Sequence, residues 1–191
     1  MKVKIAISVV VFFLIVFYSL MQINFLDYES PKKYDEIDEI TFNDFKGLEF
    51  FQNSLYGNKH FAYIKTSINY QIEEDSVKVE SFFHPSSSYV YKKDLFSKEL
   101  LTHELYHFKI TELFSRMIKK KIFESKNRDN IQIENLINEL KIKERQFQFK
   151  YDDDTFHSYV FSEQKKYQND IDSLLNLHSN FKNPKVYINE K

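Results

Sequence analysis

The stretch "LLTHELYHFKITEL", from Leu100 to Leu113, places His103, Glu104 and His107 in the pattern H-E-x-x-H. Residues four apart on an α-helix differ by about 40° and one turn, so both imidazoles point the same way. Two imidazoles so placed can hold one zinc ion through ring nitrogens at roughly 2.0–2.1 Å. Glu104 lies about 100° around from His103, beside such an ion. That position suits a general base acting on water. The requirement is severe for a fold. The helix must be buried on one side, open on another, and met by a third ligand from elsewhere in the chain.

The rest of the sequence decides where that ligand can come from. There is no Cys among the 191 residues, which excludes disulfides, thiolate zinc sites, a cysteine nucleophile and a lipid anchor on an N-terminal Cys. Only Gly47 and Gly57 are glycines, which argues against phosphate-cradling loops. The formal net charge of -1 gives no footprint for nucleic acid. A third His shortly after a Gly, the common short-range continuation of H-E-x-x-H, is absent from "HFKITELFSRM". Glu112 follows His107 by five positions and points to roughly the opposite side of the helix. It suits a supporting hydrogen bond or a buried pair. His157, in the polar stretch "YDDDTFHS" (Tyr151–Ser158), is the best-placed third ligand, with Asp152, Asp153 and Asp154 as alternative oxygen ligands. His60, His84 and His178 sit in ordinary surface or partly buried contexts.

The N-terminus begins with Lys2 and Lys4 and an uncharged run from Ile5 to Leu26, long enough to cross a bilayer as a helix of roughly 20 residues. Residues 1–26 are therefore expected to be a signal anchor or a signal peptide, the anchor being favoured because the small-residue cleavage pattern is poor. An acidic tether is expected over residues 27–38 and a C-terminal tail or short edge strand over 184–191. "EITFNDFKG" (Glu39–Gly47) reads as a strand and turn. "HFAYIKTSINYQI" (His60–Ile72) and "VKVESFFHP" (Val77–Pro85) alternate with period two and form an expected hairpin; "SSSYVYKK" (Ser86–Lys93) reads as a loop. Helices are expected over Lys98–Phe123, Ile131–Phe149 and Tyr159–Leu177, with "YDDDTFHS" breaking the last two apart. Strands followed by helices give an α+β domain over 39–183, a small antiparallel sheet packed on the H-E-x-x-H helix and two further helices.

"HELYHFKITELFSRMIKKKI" resembles the motif H-E-x-x-H-F-x-I-x-E-x-x-x-R of a bacterial domain family of unknown function described as predicted secreted zinc-dependent proteases. That family has a later Y-D-x-x-T-x-H segment, and Tyr151, Asp152, Thr155 and His157 stand at those places; "FNDFKG" (Phe42–Gly47) and "SSSYV" (Ser86–Val90) resemble two weaker blocks. The resemblance spans about Thr41 to Leu175; Ser158 stands where many members have Gly. It implies a zincin-like fold and a zinc site. In that reading His103, His107 and His157 bind Zn2+ and Glu104 moves protons for amide hydrolysis of a peptide or protein substrate. Tyr151 would donate to the developing oxyanion, and Asp152 would accept from a ligand imidazole. The chain is then a cell-envelope metallopeptidase, tethered through its N-terminal helix or secreted. A non-catalytic zinc-binding envelope scaffold and a non-peptide amide hydrolase are the competing readings.

Overall fold

The computed structural model describes residues 2–22, 28–47, 61–91, 98–125 and 129–188. Its centre is a hairpin of β3 (Thr66–Ile72) and β4 (Ser76–Phe83), in antiparallel register from Thr66 opposite Phe83 to Ile72 opposite Val77. The turn is closed by the Glu73 N–H donating to the Ser76 carbonyl at 2.8 Å and by the Ser76 hydroxyl donating to the Glu73 carboxylate at 2.9 Å. From Val77 onward β4 alternates. Val77, Val79, Ser81 and Phe83 are buried beneath the helices, and the intervening residues are half-buried. The other edge of β4 pairs with β1 (Lys32–Lys33) and β6 (Lys185–Tyr187), both antiparallel. A second, two-stranded sheet joins β2 (Ala62–Tyr63) to β5 (Tyr89–Val90). The expected hairpin and C-terminal edge strand are thus present; His60, at the start of the expected first strand, lies outside the described residues.

Three helices complete an α+β architecture: α2 (Lys98–Glu124), α3 (Asn130–Thr155) and α4 (Phe161–Leu177). Helix α2 is apolar on several faces because it lies between the sheet and the other two helices. Phe108, Ile110, Ile118 and Ile122 are fully buried along it, each contributing roughly 1.5–3 kcal/mol of transfer free energy. The side chains of α2 divide into two apolar clusters. Tyr106, Ile110 and Leu113 pack with Val77, Val79, Ile137 and Ile171, while Leu100 and Phe108 pack with Ile40, Phe45, Ile64 and Phe83. The N-terminal helix α1 (Lys2–Gln22) carries exposed Phe12, Phe13 and Leu14. Among the described residues no helix is long and apolar enough to cross a membrane.

Three segments differ from the sequence-based expectation. The acidic residues 27–38 include strand β1 and open into a 3-10 segment, Tyr34–Glu39, whose first ring packs edge-on against Phe108 at 5.4 Å. "EITFNDFKG" forms no strand; it ends that segment and forms another at Phe42–Asp44. The Asp44 carboxylate accepts from the Thr41 N–H at 2.8 Å and the Thr41 hydroxyl accepts from the Asn43 N–H at 3.2 Å, local bonds that compete with a strand ladder. "YDDDT" continues α3 instead of breaking it. Lys150 pairs with Asp154 one turn later at 2.5 Å, and the Thr155 hydroxyl donates to the Tyr151 carbonyl at 2.6 Å, so the acidic run is helical. Its last residues are held against α4 by the Tyr167 hydroxyl, which donates to Asp154 at 2.6 Å.

The blocks "FNDFKG" and "SSSYV" meet in space. The Gly47 N–H donates to the Ser88 carbonyl at 2.7 Å and the Lys46 N–H to the Pro85 carbonyl at 2.9 Å. A Cβ on residue 47 would lie 2.7 Å from that Ser88 oxygen, a backbone atom that cannot swing aside. Gly47→Ala should therefore destabilise the fold by about 1–3 kcal/mol, the usual range for overpacking. Urea unfolding checks this, the expected sign being a lower midpoint at unchanged slope.

Candidate metal centre

His103 and His107 project from one face of α2, and Gln148, Tyr151 and Asp152 from the facing turn of α3. Helix α3 ends immediately afterwards. Phe156, His157 and Ser158 all have positive φ, at 46°, 51° and 76°. Three successive non-Gly residues in the left-handed region carry backbone strain. The turn is closed by the His157 N–H donating to the Asp152 carbonyl at 3.1 Å and the Val160 N–H to the Thr155 carbonyl at 2.9 Å. This reversal brings the His157 ring back over its own helix, toward α2.

Four side chains converge. The Asp152 Oδ1 lies 3.2 Å from His103 Nε2, 2.9 Å from His107 Nε2 and 3.4 Å from His157 Nδ1. The two Nε2 atoms of α2 are 3.3 Å apart. Atoms bound tetrahedrally at roughly 2.0–2.1 Å to one ion stand roughly 3.3–3.4 Å from each other, so these spacings are those of neighbouring vertices. His103, Asp152 and His157 form a group whose ligand atoms all lie within 4.8 Å of one another and could hold a metal ion. His107 stands outside that group: its Nε2 meets His103 and Asp152 but is farther from His157. Three imidazoles and a carboxylate are the donor set of zinc or another divalent transition metal. The Asp152 found here is more than an outer acceptor for one imidazole: its oxygen faces all three.

The surroundings grade from closed to open. His103 is sealed in, His107 nearly so, and the side chains of Asp152 and His157 are 25% and 36% exposed. The interior wall is Tyr151, whose ring stacks on His103 at 4.6 Å and meets His107 edge-on at 5.0 Å. Its hydroxyl is enclosed and has no hydrogen-bond partner among the described residues, whereas an oxyanion donor must face the mouth of the site. Tyr151 here shapes and dries the inner side, and burial raises its phenol above the ordinary range.

Electrostatics separate the two α2 imidazoles. Burial pulls His103 down to about 4, the form with a free lone pair for a metal. Burial also pulls on His107, but the charge and hydrogen bond of Asp152 outweigh it and hold this ring up at about 9. Asp152 is itself driven far below the usual carboxylate range, because the charge of His107 and bonds from the three imidazoles overcome its burial. Glu104 is buried beside the cluster, and desolvation pushes its carboxyl up to about 7. Its Oε2 accepts the Ile64 N–H at 2.9 Å, which fixes the side chain against the segment following β2.

The remaining sequence candidates lie elsewhere. Glu112 accepts from the Ser81 hydroxyl at 2.6 Å and from Arg116 Nε at 2.7 Å, and Arg116 continues to the Leu175 carbonyl at 2.8 Å. It is a buried pair joining α2 to the sheet and to α4, not a neighbour of the histidines. His84 bonds the Ser67 hydroxyl at 2.7 Å. Asp154 pairs with Lys150 and Tyr167. Gln148 was not singled out by the sequence, yet it bonds His107 Nδ1 at 2.5 Å. Its signal was the four-residue spacing to Asp152, readable only once "YDDDT" is taken as helix.

The chain matches no protein-family description, no curated protein and no solved structure.

Proposed function

We propose that the chain is a zinc-dependent amide hydrolase, acting on peptide bonds, whose site is built from His103, His107, Asp152 and His157 with Glu104 as the proton carrier. The observation that carries the reading is the convergence of His103, Asp152 and His157, with His107 against the first two, beside a buried carboxyl shifted toward neutrality. The motif resemblance of the H-E-x-x-H and Y-D-x-x-T-x-H segments to predicted zinc-dependent proteases points the same way, as does a small antiparallel sheet packed on the H-E-x-x-H helix.

A zinc ion held there would supply Lewis acidity toward a carbonyl and toward water. The rest falls to this chain. Glu104, pinned at Oε2 by the Ile64 N–H, takes a proton from water and returns it to the leaving amine. A carboxyl tuned close to neutral pH serves both steps. Tyr151 and the buried face of His103 keep bulk water from the inner side, which strengthens each electrostatic contact. Substrate approaches from the exposed side, past His157 and Asp152.

The Asp152 distances also favour a second reading. Four protein ligands close a tetrahedral site, as in a structural centre, while a catalytic one keeps a position open. Asp152→Ala separates the two. For the hydrolase, the variant keeps a three-histidine site, retains zinc with a loss of roughly 10–100-fold in affinity, and still cleaves. For the scaffold, neither protein cleaves and the variant loses zinc-dependent stabilisation. The measurement is hydrolysis of a quenched-fluorescent peptide library by parent and variant, with and without chelator.

The uncharged run Ile5–Leu26 supports a place at the cell envelope with the domain outside the cytoplasm. A reporter fused after residue 30 that is active only in the cytoplasm would contradict this.

A further inference from the structure

Two segments border the mouth of the site. One follows β2. The Ile64 N–H bonds Glu104 Oε2 at 2.9 Å, so the chain from Phe61 to Ile64 runs beside the carboxyl on α2. Its start is fixed to β5, where the Phe61 carbonyl accepts the Tyr91 N–H at 2.7 Å. The other segment is the reversed turn between α3 and α4. It carries His157, and the Tyr159 N–H closes it by donating to the Phe156 carbonyl at 3.2 Å. Glu104 lies close enough to His107, Asp152 and His157 to feel their charge, so both segments border one cluster.

Aromatic rings line that border. Phe156 immediately precedes His157 and Tyr159 follows it by two positions; they are 67% and 61% exposed. Their rings meet edge-on at 6.2 Å. Tyr159 also approaches the exposed Phe61, with ring centroids 6.5 Å apart. The three rings thus form one row from the turn to the start of β2. A single exposed ring needs no explanation. A contiguous apolar row beside polar groups marks a binding surface. None of the three belongs to either buried cluster of the fold.

We infer that Phe61, Phe156 and Tyr159 form an aromatic subsite beside the metal cluster that seats a bulky apolar side chain of an extended peptide. The inference rests on the hydrolase reading above and gives its substrate class. The occupant follows from place and chemistry. Substrate reaches Glu104 past His157 and Asp152, and the rings flank that path. They offer apolar contact and no formal charge, so they favour Phe, Leu or Met over Asp, Lys or Ser. Seating such a side chain is worth roughly 10–100-fold in binding.

The test uses the full chain supplied with zinc and carrying Glu104→Gln, so that the probe is bound and not cut. The probes are two fluorescein-labelled peptides of Gly, Ala and Ser, identical except for a central Phe or a central Ser. Fluorescence anisotropy should show the Phe peptide bound roughly 10–100-fold more tightly. Adding Phe156→Ala or Tyr159→Ala, both at exposed positions, should pull that ratio toward one. Adding Phe123→Ala, at an exposed ring near the far end of α2, should leave it unchanged. Urea midpoints show that each variant folds. Equal binding of the two peptides, or an unchanged ratio in the double variant Phe156→Ala/Tyr159→Ala, would overturn the proposal. Both peptides are also offered to the parent with Glu104 intact. A parent that cleaves neither, with the ratio and its loss retained, would overturn the hydrolase reading instead and leave the subsite standing.

Discussion

Replacing Glu104 with Gln should leave zinc bound and reduce hydrolysis by about 10²–10⁴-fold, or about 3–5.5 kcal/mol of barrier. The carboxyl is not among the converging ligand atoms; its Oε2 is held by the Ile64 N–H. Gln keeps the shape of Glu and can still accept that N–H through its amide oxygen. Its amide cannot take a proton from water, so the loss falls on turnover. Burial also makes the substitution mild for the fold, because a neutral amide replaces a carboxyl already pushed to about 7. Hydrolysis rates and metal content are measured together on zinc-loaded parent and variant. Equal rates with equal zinc would remove Glu104 from the chemistry.

Replacing His157 with Ala should weaken zinc binding by at least about 100-fold, beyond the range seen for groups that merely orient a ligand. The side chain is 36% exposed and pairs with Asp152 at 3.4 Å, so its removal opens no buried cavity. The metal-free fold should keep its stability within about 0.5 kcal/mol, as surface substitutions do. The strained turn at Phe156, His157 and Ser158 is the physical reason to expect a role. Positive φ at three bulky or polar residues persists only where surrounding structure enforces it. Here the enforcement comes from backbone bonds to Asp152 and Thr155. An unchanged affinity would place the third ligand elsewhere, with Asp152 the first alternative.

The architecture was readable where the pattern was periodic. The hairpin from Thr66 to Phe83 follows from alternating residues, and α2 follows from apolar residues recurring around an H-E-x-x-H core. The paired glutamate and arginine at Glu112 and Arg116 could be read only as a helix face; their tie to Ser81 and Leu175 depends on tertiary packing. The segment that matters most was read only in part. His157 stands out in the sequence because it lies in a polar stretch, and its ring pairs with Asp152 of α3 within 4.8 Å of the His103 ligand atom. The stretch reads as a loop because it is a polar interruption between two apolar helical patterns, and three successive aspartates disfavour a helix interior. Lys150, Thr155 and Tyr167 offset that preference, and the extra turn of helix puts Asp152 at the centre of the site and Gln148 behind it. Thr41 and Asp44 misled in the opposite direction, since their local bonds turned an apparent strand into 3-10 segments.

The central claim is that His103, His107 and His157, gathered around Asp152, hold one metal ion. Elemental analysis of the purified full chain, paired with X-ray absorption at the zinc edge, tests it most directly. The account predicts close to one zinc per chain, bound by imidazole nitrogens at roughly 2.0–2.1 Å. Loss of that signal is expected in the double variant His103→Ala/His107→Ala. A chain that folds, takes up no zinc or other divalent transition metal when these are supplied in excess, and is not stabilised by them would contradict it.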